Sequence, residues 1–264
     1  MREQLFPQLK QHDRKVFNKN FLFRVHAEIC FNEIPSEVFQ DLDKVLSAVF
    51  EERSFTSCEN IIHGEYVIQH DDKNMPAELK QEEHKHIGFK FSTEHGERII
   101  DLHNDRLLVT INLYEGFEAF TTDLEAITKA LEGAVGKLTI SKTGLRKVDL
   151  IKVGPVDDLV QACNAFSPNL FGMLRSGLAS LENFNVSEEA MVFKSKDKTC
   201  LIRTIFKKAS PDKYFDVTLD FDLVDTATHS LEQTLEQVLP NLNELHFDLF
   251  MWAVTKELVS IMEE

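Results

Sequence analysis

The chain has 264 residues, 43% of them hydrophobic, and a formal net charge of −15 at pH 7. This length is enough to bury a full core, as one large domain or as two of roughly 130 residues each. The negative charge opposes non-specific attraction to nucleic acid and to anionic membranes. No run of about 18 apolar residues is present to cross a bilayer, so we expect no membrane segment.

The cysteines and the first residues of the sequence bear on location. Cys30, Cys58, Cys163 and Cys200 are far apart and form no CxxC motif. The first 20 residues mix charges and lack an apolar stretch, so a secretory signal is not expected. We therefore predict reduced thiols and a cytoplasmic protein.

The first predicted elements are a strand and a helix. Apolar and polar residues alternate over 21–31, which predicts a strand with an aromatic inner face. Pro35 and Ser36 then introduce a helix that extends to Phe50. A second strand is predicted at 61–68, and the charged stretch 70–86, which contains Pro76, is predicted to be a mobile loop.

A hairpin followed by an amphipathic helix is predicted in the middle of the first half. The pair Asn104-Asp105 suits a tight turn between two alternating segments, 99–102 and 107–113. After Gly116 the period changes from two to about 3.6. The residues that then share one helical face are Phe117, Phe120, Leu124, Ile127 and Leu131. This helix is predicted to lie across its own sheet.

The second half repeats this order of elements. A long strand is predicted at 138–153 and a short helix at 156–166. Further strands are predicted at 180–188, 190–194, 199–207 and 214–224, with turns at 195–198 and at Pro211-Asp212. Two helices follow, at 231–239 and 240–262, because Pro240 is suited to the first position of a helix.

These elements predict an α+β fold made of two similar halves, each in the order strand, helix, antiparallel strands, helix. The halves are residues 1–136 and 137–264, packed as one compact unit. The pattern suggests an internal duplication, with two sheets packed as a pair and amphipathic helices on the outer side.

The basic residues of the chain give one candidate ligand site. The hairpin 194–208 is rich in lysine and arginine, and its Arg203 and Lys207 are expected to pair across strands with Asp216, Asp220 and Asp222. The alternative is a basic cup between the sheets that binds a small ligand or a phosphate ester. Its lining would be Arg24, Arg146 and Arg203.

Histidines give a second candidate site. The spacing of His84 and His86 places them on one face of a strand, and the nearby hairpin carries His95 and His103. Imidazoles at such spacing can bind zinc or nickel, which makes a metal-dependent hydrolase one hypothesis. The competing interpretation is a set of solvated histidines, because neither an HExxH motif nor a cysteine ligand accompanies them.

Enzymatic motifs are missing from the sequence. There is no GxSxG, GxGxxG or P-loop motif, so neither catalysis nor a cofactor is predicted. Residues 212–264 carry twelve carboxylates and two lysines, which suits a basic protein partner. The leading hypothesis is therefore a non-enzymatic protein that acts through a protein–protein interface. The wide apolar surface of the last helix, which includes Trp252, is either buried internally or forms a homodimer.

Several segments resemble one bacterial family. They are the strand 24–31 with Glu28 (RVHAEICF), 107–120 (LLVTINLYEGFEAF), 143–153 (TGLRKVDLIKV), 215–221 (FDVTLDF) and the terminal helix. They are similar to a sporadically distributed bacterial family of uncharacterised α+β proteins about this long, although a Pro-Pro-like start before the first strand is lacking. The resemblance covers nearly the whole chain. It implies no established activity and no site residues, and the patchy distribution implies a defence, immunity or regulatory module.

Overall fold

A computed structural model describes residues 1–69, 78–209 and 213–264, with the side chains of 64–69 and 78–85 also outside the description. The described residues form helices and one antiparallel sheet of ten strands, which confirms the α+β class. All four cysteines are free. Within the described residues, none of the helices combines the length and the apolar character that crossing a membrane requires.

The sheet has one continuous strand order. The strands are β1 (Leu22–Phe31), β2 (Ser57–Gln69), β3 (Glu78–Ser92), β4 (Arg98–His103), β5 (Arg106–Ile111), β6 (Thr139–Val153), β7 (Val186–Ser195), β8 (Lys198–Ala209), β9 (Tyr214–Asp225) and β10 (His229–Ser230). Their order across the sheet is β2-β3-β4-β5-β1-β6-β9-β8-β7, and β10 pairs with the start of β6. The first strand of each half therefore lies at the centre.

The described residues form nine α-helices, and most of them are short. They are α1 (Arg2–Leu5), α2 (Ser36–Phe39), α3 (Leu42–Glu52), α4 (Phe117–Val135), α5 (Leu159–Cys163), α6 (Gly172–Arg175), α7 (Leu231–Gln233), α8 (Leu239–Ala253) and α9 (Lys256–Glu263). The long helix α4 is bounded by Gly116 and Gly136, whose φ angles of 125° and 86° favour glycine. Both ends of α4 therefore follow from the sequence.

The expectation of two sheets packed as a pair is wrong. β1 and β6 pair edge to edge and antiparallel, with Ala27 opposite Leu145 and Ile29 opposite Thr143. This pairing satisfies the outer backbone groups of both central strands, so the two sets of strands join into one sheet. Apolar residues on one face of that sheet and the inner faces of the helices then form a single hydrophobic cluster.

Alternation along each strand separates a helix-covered face from an open face. On β1, Val25, Ala27 and Ile29 are at most 2% exposed, whereas the residues between them are only partly buried. The same parity holds on β5 and β9. The helix α8 packs against β6 and β9 on the covered face. One face of the sheet is thus core, and the other carries mainly polar and charged side chains.

Pro240 does not divide the C-terminal helices, contrary to expectation. A π-helical turn at Thr234–Val238 connects α7 to α8, so the helix continues through the proline. A widened turn relieves the clash of a proline ring with the carbonyl four residues earlier. The real break is at Val254, whose extended backbone forms a bridge with Phe166 before α9 begins. Trp252 is only partly buried, while Leu245 and Leu249 of α8 lie in the core.

Other boundaries also differ from the sequence-based expectation. Residues 78–86 of the predicted loop belong to β3, because backbone pairing with β2 outweighs their charged composition. The two strands predicted at 180–188 and 190–194 are the single strand β7, which begins at Val186. The remainder of the loop, 70–77, and the turn at Pro211-Asp212 lie outside the described residues.

Candidate functional site

The three predicted arginines share the open face of the sheet, but each already has a partner. Arg146 donates two hydrogen bonds to Asp220, at 2.8 and 2.7 Å. The Arg24 side chain donates to the amide oxygen of Asn112 at 2.9 Å. Arg203 lies 3.4 Å from a carboxylate oxygen of Glu188. With one sheet there is no second wall, so these residues line an open surface rather than a cup between two sheets.

A shallow depression of about 280 Å³ does lie beside Arg146, around Gly144. It is lined by Glu28, Lys142 and Asp222 as well as Arg146. Lys142 forms an ion pair with Glu28. Asp101 also lines the depression, so three carboxylates face two basic groups and the depression offers no net attraction for an anion.

The predicted histidines are distributed over different surroundings. A bulge at Ile87 places His86 on the covered face, where it stacks near Phe39. His103 instead lies within 3.1 Å of the Ile87 carbonyl oxygen, and His95 is exposed in a turn. The side chain of His84 lies outside the described residues. Among the side chains that are described, no group of three or more His, Cys, Asp or Glu is placed to hold a metal ion.

A cavity of about 590 Å³ lies on the covered face. Its walls are β6, α8, the connection between β5 and α4, and the N-terminal segment 14–22. Aromatic rings supply much of its lining: Phe17, Tyr114, Phe117, Phe221, Phe247 and Phe250. Exposed charged residues of both signs, Arg14, Lys15, Glu115 and Glu118, also border it. A cavity of this size that combines an aromatic lining with convergent polar side chains is typical of a small-molecule site.

Lys147 brings a positive charge to this cavity. It is an inward-facing residue of β6, and its Nζ donates to Oδ1 of Asn243 at 2.5 Å. Nζ also lies 5.3 Å from the centre of the Tyr114 ring. No carboxylate within the described chain lies within ion-pairing distance of it. Its side chain is partly exposed because it borders the cavity. Desolvation by the surrounding protein nevertheless lowers the pKa of Lys147 to about 8.

Asp149 is the second charged residue at the cavity, two positions further along the same face of β6. It is 7% exposed, and no donor in the described part of the chain forms a hydrogen bond with its carboxylate. Burial raises the pKa of Asp149 from 3.8 to about 7, and Lys147 opposes this rise. An almost fully buried carboxyl group without a donor is unusual in a protein core.

His246 completes the polar part of the cavity. This α8 residue is 2% exposed, and its Nε2 lies 2.7 Å from the backbone oxygen of Leu145. Because Nε2 must donate to that oxygen, Nδ1 is an acceptor, and it has no partner among the described residues. Burial, with a contribution from Lys147, lowers the pKa of His246 to about 3, so the ring is neutral.

The N-terminal segment closes one side of the cavity. Phe17 stacks on Phe247 with 6.1 Å between ring centres. Lys15 pairs with Glu263 at 2.8 Å, and the amide of Asn18 donates to the backbone oxygen of the same residue. Further toward the N-terminus, the backbone of His12 donates to the buried carboxylate of Asp248 at 2.8 Å. The segment is thus held by a few polar contacts along α8 and α9.

Lys147, Asp149 and His246 are absent from the residues proposed on sequence grounds. A signal for the first two was present, because in β6 the inward positions run Leu145, Lys147, Asp149 and Ile151. Two charged residues among the otherwise apolar inward-facing residues of a strand indicate a polar site within a core. The sequence carries no comparable signal for His246, because only the packing of α8 on the sheet brings it to the cavity.

A comparison with protein-family models finds no match for this chain. The comparison with curated proteins also finds none. The resemblance to the sporadically distributed bacterial family therefore stays an expectation.

Proposed function

We propose that the protein binds a small organic anion with an apolar body in the 590 Å³ cavity. The observation that carries this proposal is the ammonium group of Lys147. It is held at the cavity wall by one amide oxygen, with no carboxylate paired to it in the described chain. Partial removal of a cation from water is costly unless a counter-charge accompanies it. An anionic ligand supplies that counter-charge.

The anilinonaphthalene sulfonate dye ANS tests the proposal, because it joins aromatic rings to an anion. We expect wild-type protein to enhance its fluorescence with saturable binding. Lys147→Met should weaken this binding about tenfold or more, the equivalent of about 1.4 kcal/mol. Lys147→Arg should retain most of it, since the charge remains.

Lys142→Met is the matched control. Lys142 is on the same strand, but it faces the open side and pairs with Glu28. We expect this variant to bind the dye like wild type. Equal binding by wild type and Lys147→Met, with both variants folded by circular dichroism, would refute the proposal.

We also infer that the two halves are an internal duplication. In each half the first strand is central and pairs with a strand from the end of that half, giving β1-β5-β4-β3-β2 and β6-β9-β8-β7, so the first half has one more strand at its outer edge. The inward residues of β1 at Val25, Ala27 and Ile29 are all apolar. The matching face of β6 carries Lys147 and Asp149. This contrast supports a binding role for the two charged residues, because an equivalent strand forms without them.

A second candidate function is the protein–protein interface of the leading hypothesis. The observation that favours it is β7, a ten-residue strand at the edge of the sheet, with Val186 and Val192 55% and 58% exposed. Edge strands can pair with an extended segment of a partner. We expect a cytoplasmic partner captured by wild type to be lost with the double variant Val186→Lys, Val192→Lys. The Lys147→Met variant should still capture this partner. If the double variant also captures it, the β7 edge is not the interface.

A further inference from the structure

We infer that the ligand is zwitterionic: an aromatic α-amino acid or a close relative, with its carboxylate at Lys147 and its ammonium group at Asp149. This inference rests on the proposed function and specifies the ligand class of the same cavity. Its basis is the combination of one cationic group, one carboxyl group and one unpaired acceptor along a single wall.

The spacing of the two charged residues suits such a head group. Residues two apart on a strand are separated by about 6.6 Å, and both side chains point to the same face. Lys147 and Asp149 do not pair directly, since no ion pair joins them in the described structure. A ligand that carries both charges on neighbouring atoms satisfies both residues together. His246 lines the same wall, and its enclosed Nδ1 has no partner among the described residues, which adds a second unsatisfied polar group beside the two charged ones.

The remainder of the lining suits an aromatic body. Phe17, Phe117, Phe221 and Phe247 border the cavity together with Tyr114. Aromatic rings pack favourably edge-to-face or offset against other rings. A simple monoanion offers no donor to the Asp149 carboxyl group, which has none from the described protein. The ammonium group of a zwitterion supplies that donor.

Isothermal titration with matched ligands tests the inference. The probes are L-phenylalanine, 3-phenylpropionate, which lacks the ammonium group, and phenethylamine, which lacks the carboxylate. L-tyrosine and L-tryptophan, each with its desamino analogue, extend the panel to larger rings. We expect at least one aromatic amino acid to bind wild type about tenfold or more tightly than either of its analogues at pH 7.5.

Two variants assign the contacts. Asp149→Asn should remove the preference for the amino acid over its desamino analogue, and Lys147→Met should remove the preference over the amine. Lys142→Met should leave both preferences unchanged.

The inference is overturned if no aromatic amino acid binds better than its desamino analogue. If the desamino acids then bind in a Lys147-dependent way, the proposed function stands while the zwitterion is excluded. If the dye binds equally to wild type and Lys147→Met, the proposed function fails and the inference that rests on it fails too. The comparison of ligands on wild-type protein decides the question even where a variant does not fold.

Discussion

Replacement of Asp149 by asparagine should stabilise the protein, and more so at high pH. Asp149 is 7% exposed, and burial raises its pKa from 3.8 to about 7. A folded-state pKa above the unfolded value means that the associated stability is complete below about pH 3.8 and is lost as the pH rises through 7. Such a rise corresponds to about 4 kcal/mol in total, of which about 2–3 kcal/mol falls between pH 5 and 8.

Urea denaturation of wild type and Asp149→Asn at pH 5 and pH 8 measures this difference. We expect the free energy of unfolding of the variant to exceed that of wild type at pH 8. The gap should be about 2–3 kcal/mol wider at pH 8 than at pH 5. The exposed control Asp105→Asn should change stability by less than about 0.5 kcal/mol at both pH values. A gap that does not depend on pH would show that Asp149 is not held as a desolvated carboxyl group.

Two further predictions concern the open face of the sheet. Arg146→Ala should lower the free energy of unfolding by about 2–4 kcal/mol, because it leaves the carboxylate of Asp220, which is 3% exposed, without its ion-pair partner. Arg203→Ala should change it by less than about 1 kcal/mol, since that ion pair is exposed, and equal effects in urea denaturation would refute the distinction. Gly88→Ala should lower the melting temperature, because its Cβ would lie 2.7 Å from the backbone oxygen of Leu102. Gly144→Ala has its nearest atoms at 3.7 Å and should leave the melting temperature nearly unchanged, so a similar loss for both would count against this account.

Periodicity was enough to predict the elements whose own residues decide their structure. The alternation in β1 and the 3.6-residue period of α4 are local, and both elements are where the pattern places them. The same holds for the turn at Asn104-Asp105. In each case neighbouring residues carry the information. Arg203 does lie opposite Asp220 in the register, but the expected ion pair between them is wrong, because Asp220 pairs with Arg146 and Arg203 with Glu188.

Features that depend on distant parts of the chain could not be predicted in this way. The edge-to-edge pairing of β1 with β6 joins strands that are separated by the whole N-terminal half, and no local pattern distinguishes it from face-to-face packing. The helix start predicted at Pro240 is wrong, because a π-helical turn before the proline lets the helix continue and such a turn has no sequence signature. Alternation along β6 predicts that Lys147 and Asp149 face inward. The cavity that they line also requires α8 and the N-terminal segment, which no local pattern brings there.

The central pairing of β1 with β6 has a consequence for synthesis on the ribosome. β1 can pair with β5 as soon as residues 106–111 have emerged, but its other edge must wait for residues 139–153. During that interval the nascent N-terminal half presents a ten-residue strand with unsatisfied backbone groups. A pause in translation shortly before β6 would therefore prolong exposure of this unpaired edge, and chaperone binding should concentrate at that stage.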